Sequence, residues 1–370
     1  MYSCRPRAGA RFLSGLLFMA LSLSGSSLIA QEEASEEKSS ELKVTFHGYL
    51  TQAYARSDGH NFLGITEDGT ADYRTAALQV RADIRKNDAF VVQFSHERLG
   101  ESGAQEIKDD VELDWIFYEH RFGDSAVKVG RVQIPFGIYN EVRDVGTLLP
   151  FYRPSNNFYG EAAYSSETVD GVVLSHSFRL GDWGLDADLH YGDWKFVSRD
   201  FFTGKFVSND VNDSIGAELW LDTPISGLRF GAGGMRYDID FAGVESKWDV
   251  YHVSVAGDFD RFAVHSEYKD VNIGSGFHVL FDYIHLGVNL TDKVTLNAQQ
   301  DRFFTKLRGT SKVEADKDRA VGVNYAFNPS LILKTEHHWD EGRFWLEDVP
   351  QFGPPGLKTR YWLISLSTSF

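Results

Sequence analysis

The sequence contains twelve histidines and one cysteine, and these residues bound any catalytic reading. His47, His96, His120, His190, His252, His265 and His338 fall on alternating stretches, mostly on the polar side. A hydrolytic site needs a serine, a histidine and an orienting group within hydrogen-bond reach, and no such constellation or G-x-S-x-G run stands out. His285 and the pair His337–His338 stand at no metal-ligand spacing with another strong donor. Gly233–Gly234 reads as a bulge or close-packing point inside a strand, not a phosphate loop. The expectation is therefore no catalytic residue, no metal site, no cofactor and no enzymatic activity. The residues with chemistry to offer are charged. Glu141, Arg143, Asp144 and Arg153 lie in one proline-marked stretch, and Arg81, Arg85, Lys128 and Arg131 lie in the segments before it. Their chemistry is recognition: a guanidinium offers a planar fork whose charge is constant with pH. An ion stripped of hydration needs compensating charge, held loosely enough to let it leave.

The elements that position these groups are strands. From Leu42 onward, segments of about ten residues alternate apolar and polar side chains. Leu78, Val80, Ala82 and Ile84 alternate with Gln79, Arg81, Asp83 and Arg85; Val294, Leu296 and Ala298 alternate with Thr295, Asn297 and Gln299. Sixteen such segments are expected, the first over 42–56 and the last over 358–370. The links between them alternate in length. Tight turns of Asn, Asp, Gly and Pro, such as Lys86–Ala89 and Thr291–Lys293, interleave with long polar links, of which 135–167 is the longest. Short/long alternation with an even strand number predicts an all-β fold, a transmembrane antiparallel barrel. In the last strand Trp362, Ile364, Leu366 and the final Phe370 form the apolar series expected to face lipid, with Ser365, Ser367 and Ser369 turned the other way. Aromatics near strand ends, namely Phe46, Phe90, Trp115, Phe117, Trp220, Trp248, Tyr268, Trp339 and Trp362, are expected at the membrane interfaces.

Composition agrees. Aromatics make up 14% of 370 residues and prolines number nine, which suits long uninterrupted ladders. No run approaches the ~20 apolar residues of a membrane helix. Arg5, Arg7 and Arg11 precede an apolar run from Phe12, so residues 1–30 read as a cleaved export signal. Residues 31–41 form a charged leader and 42–370 the barrel. The mature chain keeps 34 of the 37 basic residues against 53 acidic ones, a net charge near −19 that argues against nucleic acid as a partner.

The run VGRVQIPFGIYNEVRD within Lys128–Arg143 resembles the GR…P.G.YNE.RD stretch of Gram-negative outer-membrane porins of the phosphate-selective porin O/P-like and related substrate-specific families. The resemblance implies an outer-membrane channel, a homotrimer in contact with the lipid bilayer and lipopolysaccharide, passing small hydrophilic solutes or inorganic ions. It implies that loop 135–167 narrows the lumen and brings Glu141, Arg143, Asp144 and Arg153 opposite a wall carrying Arg81, Arg85, Lys128 and Arg131. It also implies that Trp362, Ile364, Leu366 and Phe370 close the barrel and signal its assembly. Phosphate-selective members use an arginine ladder, whereas this wall is mixed, with Asp83, Glu97, Glu112, Asp114, Asp186, Asp188, Glu218, Glu267 and Glu336. Further acids, Asp68, Asp72, Glu101, Glu106, Asp109, Asp110, Asp316 and Asp318, are expected in outer loops. The competing class is a barrel that does not transport, an adhesin or receptor whose long loops bind a partner.

Overall fold

A computed structural model describes residues 42–107, 109–160, 166–199, 205–241, 244–274, 276–350 and 356–370. The expected signal peptide and leader, residues 1–41, lie outside them.

Sixteen antiparallel strands form one closed barrel: β1 (Lys43–Asp58), β2 (Thr70–Arg85), β3 (Asp88–Leu99), β4 (Glu112–Phe122), β5 (Ser125–Gln133), β6 (Thr168–Leu180), β7 (Trp183–Arg199), β8 (Phe206–Asp222), β9 (Leu228–Phe241), β10 (Val244–Asp258), β11 (Phe262–Ile273), β12 (Phe277–Thr291), β13 (Val294–Leu307), β14 (Val313–Asn328), β15 (Leu331–Glu341) and β16 (Lys358–Ser369). Each strand pairs with its sequence neighbours, and β1 pairs with β16 from Tyr49↔Ser369 to Asp58↔Arg360. Closure leaves no open edge, so every interior ladder group finds a partner. The strands are those the alternation predicts, but several run further into the long links. β7 and β8 pair out to Arg199↔Phe206, and β14 begins at Val313. Backbone bonding there continues past the point where side chains stop being apolar.

The two faces separate cleanly. On β1, Tyr49, Thr51, Ala53 and Ala55 are buried inward, while Leu50 and Tyr54 are exposed outward. The outward set also includes Leu78, Phe90, Val129, Leu174, Leu189, Leu219, Phe230, Val253, Leu286, Leu296, Val321 and Ile364, all exposed. A continuous apolar surface girdling a closed barrel is far larger than water tolerates and matches a hydrocarbon layer. Ile364, Leu366 and Phe370 point outward, Phe370 with 72% of its surface exposed, while Ser365 and Ser367 are buried inside. The chain end is fixed by reciprocal backbone bonds between Gly48 and Phe370, N–H to carbonyl, of 3.1 and 3.0 Å. The Phe370 ring lies over Gly48, where a Cβ would come within 2.6 Å of the ring and 2.9 Å of the Ala77 carbonyl, so a side chain there would displace the closing residue.

Two expectations about faces are corrected. Trp115, Phe117, Trp220 and Trp248 are buried inside the barrel, not at an outer interface; each shares the inward parity of its strand. Asp316 and Asp318 are not loop residues but inward, buried members of β14.

Candidate functional site

The inside of the barrel is organised by the link between β5 and β6. Pro135 cannot donate to a ladder, so β5 stops at Gln133 and the chain turns into the lumen. The neck is closed by the buried Asn140 amide, which donates to Ile134 O at 2.9 Å and Ser166 O at 3.1 Å. Beyond it Phe136, Tyr139, Phe158 and Tyr159 pack against inward Val250, Val271, Phe281 and Tyr283, a hydrophobic core inside the lumen. A short helix, α1 (Asn156–Tyr159), is capped by Ser155, whose hydroxyl oxygen accepts from Phe158 N.

Charged wall residues hold the loop backbone. Glu267 accepts from Ile138 N at 3.0 Å and from the hydroxyls of Tyr159 and Tyr283. Lys269 donates to Phe158 O at 2.5 Å, and Lys334 to Leu149 O and Phe151 O at 2.7 and 2.8 Å. Glu336 accepts from Tyr152 N at 2.8 Å and Asp301 from Ser155 Oγ at 2.7 Å. An ion in such a place is tolerable only when its bonds are made; here the partners are loop backbone groups together with the hydroxyls of Ser155, Tyr159 and Tyr283. On the far side Gly146 lies so close to the wall that a Cβ would meet Thr51 Oγ1 at 2.2 Å and Ser367 Oγ at 2.5 Å. The loop thus crosses the lumen and is tethered along β11–β16 and at β1.

What it leaves open is a cavity of about 300 Å³ lined by Tyr49, Thr75, Ser95, Glu97, Glu112 and Asp114 from β1–β4, by Arg143, Asp144 and Glu167 from the loop, and by Lys195 from β7. Arg153 adjoins it, ion-paired to Glu97 at 2.7 Å and stacked over Tyr73 and Tyr152. Arg143 pairs with Glu167 at 3.5 Å. Five carboxylates, Glu97, Glu112, Asp114, Asp144 and Glu167, therefore face three cations, Arg143, Arg153 and Lys195. Asp109 and Arg131, one of each sign, stand at the rim.

The expected site residues divide accordingly. Arg143, Asp144 and Arg153 come together at this cavity, but they face acidic wall residues, Glu97, Glu112 and Asp114, where a basic wall was expected, and the loop supplies both signs. Arg81 faces inward yet sits about six residues, ~20 Å, down β2 from Thr75, paired to Asp83 at 2.8 Å and Glu119 at 3.0 Å. It shares a separate cavity at the tight-turn end with Arg85, Lys86 and Arg121. Arg131 lies on the outward side with exposed Val129 and Ile116, paired to Asp170 at 2.7 Å. Lys128 and Arg131 are three residues apart, so one strand cannot turn both inward; Lys128 is the inward one, over the Phe117 ring. Glu141 reaches water on another part of the loop. The protein closing round it raises its carboxyl above the ordinary value, with Lys128 opposing and Asp188 adding to the shift. Glu218, Glu267 and Glu336, read as water-lining, are buried: Glu218 is bonded to His252 at 2.6 Å, and the other two hold the loop. Sequence reasoning missed Glu167 and Lys195; nothing in local alternation marks either one.

No protein-family model matches the sequence, and no curated protein does. The fold, by contrast, is shared with solved outer-membrane barrels. The anion-selective porin from Comamonas acidovorans superposes with a TM-score of 0.60 at 12% identity, over 89% of this chain and 100% of that one. The outer membrane channel DcaP of Acinetobacter baumannii gives 0.58 at 10% identity, over 89% and 97%. OmpT of Vibrio cholerae, an outer membrane protein in its trimer form, gives 0.57 at 12% identity, over 89% and 99%. At such identities the likeness establishes the sixteen-stranded barrel fold.

Proposed function

We propose that the chain is a porin of the Gram-negative outer membrane, a passive diffusion channel for small hydrophilic solutes and ions that favours cations. One observation carries this reading. The barrel is apolar outside and holds inside a tethered loop that narrows the lumen to a cavity where five carboxylates face three cations. Sixteen strands enclose more space than wall side chains fill, so an inward loop is what sets the passage. The fold is that of barrels described as porins and outer membrane channels, which supports the location and the transport role. One of them is described in a trimer form, which supports assembly as a homotrimer.

Phosphate selectivity, which the mixed wall already sets apart from the members that the Lys128–Arg143 run resembles, is not part of this reading. The basic residues it would use at the wall lie elsewhere, Arg81 and Arg85 at the tight-turn end and Arg131 on the outer face. Transport follows the solute gradient and involves no catalytic step. Purified protein in planar bilayers tests the reading: discrete conductance steps with potassium-over-chloride preference are expected. Protein that folds and inserts without conducting would leave the adhesin or receptor class in its place.

A further inference from the structure

At the long-link ends of β14 and β15 two acidic side chains meet with no base between them. Asp316 and Asp340 turn inward, 0% and 2% exposed, and their carboxyl groups are in hydrogen-bond contact. Two carboxylates have no hydrogen to share, so a contact of this kind requires a proton between them. Apart from each other, Asp316 Oδ2 and both Asp340 oxygens meet no hydrogen-bond partner among the described residues. The titratable groups that surround the pair are two more acids, Asp301 and Asp318, and the phenol of Tyr361. The bases nearby are engaged elsewhere: His338 with Asp318 at 2.6 Å, Lys317 with Glu314 at 2.9 Å, and Arg343 with Pro350 O at 3.3 Å. The residues of opposite parity at this height, Lys317, Arg319 and Glu341, are charged, which puts the pair above the apolar belt.

The pair is joined to the loops. Asp316 Oδ1 accepts from the side-chain amide of Asn157 in α1 at 3.3 Å, and Asn157 Oδ1 accepts from the indole of Trp345 at 2.7 Å. Trp345 belongs to the link between β15 and β16. Gly342, in the same link, lies so close that a Cβ would meet Asp316 Oδ2 at 1.9 Å. That link reaches two others: Leu63 N donates to Trp345 O at 3.2 Å, and Glu347 accepts from Ser102 Oγ at 2.6 Å and Gly103 N at 2.9 Å. Residues 342–350 thus form a strap that ties the inward loop to the β1–β2 and β3–β4 links, with the acid pair at its fastening.

We propose that Asp316 and Asp340 are a proton-operated clasp for this strap. With one proton between them they hold residues 342–350 against α1; loss of that proton sets two buried anions side by side and lifts the strap. The sign follows from linkage. The clasped state binds a proton that the open state, with both carboxylates in water, gives up, so the clasp is firm at low pH and weakens as pH rises. The clasp concerns the loops alone and stands whether or not the barrel conducts.

The test is limited trypsin digestion of the folded, detergent-purified protein at about pH 6 and about pH 9. Trypsin cuts after Arg343 in the strap and after the exposed Lys312 in the β13–β14 link, so the ratio of the two cuts cancels the protease's own pH dependence. In wild type the Arg343-to-Lys312 ratio should rise about tenfold between the two conditions. Asp340→Asn, whose amide donates to Asp316 at either pH, should hold the ratio at its low-pH value. Asp316→Asn does the same from the other side and serves if the first variant does not fold. A flat wild-type ratio overturns the proposal, and so does a rise that persists in the variants, since it would belong to His338 or Tyr361. Calcium chloride supplies the last arm: if it keeps the wild-type ratio low at the higher pH, a cation and not a proton joins the carboxyls, and the clasp as proposed is wrong.

Discussion

At the level of single residues the proposed passage depends on which charges face one another in the cavity beside the inward loop. Arg153 bonds Glu97 at 2.7 Å and stacks on Tyr73, so Arg153→Ala removes one of three cations and frees a wall carboxylate. A unit charge at ~4 Å is worth about 1 kcal/mol in water-like surroundings. The variant should therefore raise the potassium-to-chloride permeability ratio roughly fivefold. An unchanged ratio would remove Arg153 from the eyelet. Arg131→Ala should leave the ratio unmoved, because its guanidinium is spent on Asp170 at the outer side. Glu141 supplies a pH arm. Its carboxyl is raised by the protein around it, so it becomes neutral at a higher pH than an ordinary glutamate as acid is added. Cation preference should begin to fall above the usual carboxylate range, and in Glu141→Gln that early part of the titration should vanish from reversal potentials recorded against pH. Identical pH profiles for variant and wild type would place Glu141 off the ion path.

At the level of elements the loop between β5 and β6 behaves as a fixed insert. Lys334 donates to two loop carbonyls, and Lys334→Met leaves both without a donor, a cost of about 1–3 kcal/mol per group. The change also relieves the burial of an ammonium, so global stability should change little. What should change is loop mobility, read as greater open-channel noise; current traces as quiet as wild type would show that the loop is held elsewhere. Gly146→Val is the harsher variant, since even a Cβ collides with Thr51 and Ser367. It should push the loop off β1 and alter single-channel conductance. Much of this element was legible in the sequence: its length, its prolines and its place after β5 marked it as the narrowing segment. Its neighbours were not. Period-two alternation assigns a face to each strand residue, but not a height along the barrel axis or a partner across the lumen. Hence Arg81 and Arg85 were grouped with Arg143, although ~20 Å of strand separates Arg81 from the eyelet. Glu218, Glu267 and Glu336 have the parity of pore-lining groups. Only the path of the loop decides that they are sealed beneath it.

At the level of the whole molecule, closure and chain end are one feature. Strand number, order and the outward series Ile364, Leu366 and Phe370 followed from alternation and turn length, because each strand must turn an apolar face outward independently of its neighbours. Deleting Phe370 removes the ring over Gly48 and its backbone bonds, and should lower the yield of folded barrel without altering the conductance of the molecules that assemble. Heat-modifiable mobility in gel electrophoresis reads the first quantity and single-channel recording the second. A normal yield would mean that β1 and β16 register without their last residue. The central claim concerns the sign of the passage, five carboxylates against three cations. The direct measurement is the zero-current potential of the wild-type protein across a bilayer with a potassium chloride gradient at neutral pH. A potential of the sign set by potassium passing faster than chloride is the expected result. A chloride-selective potential, or no conductance from folded protein, would contradict it.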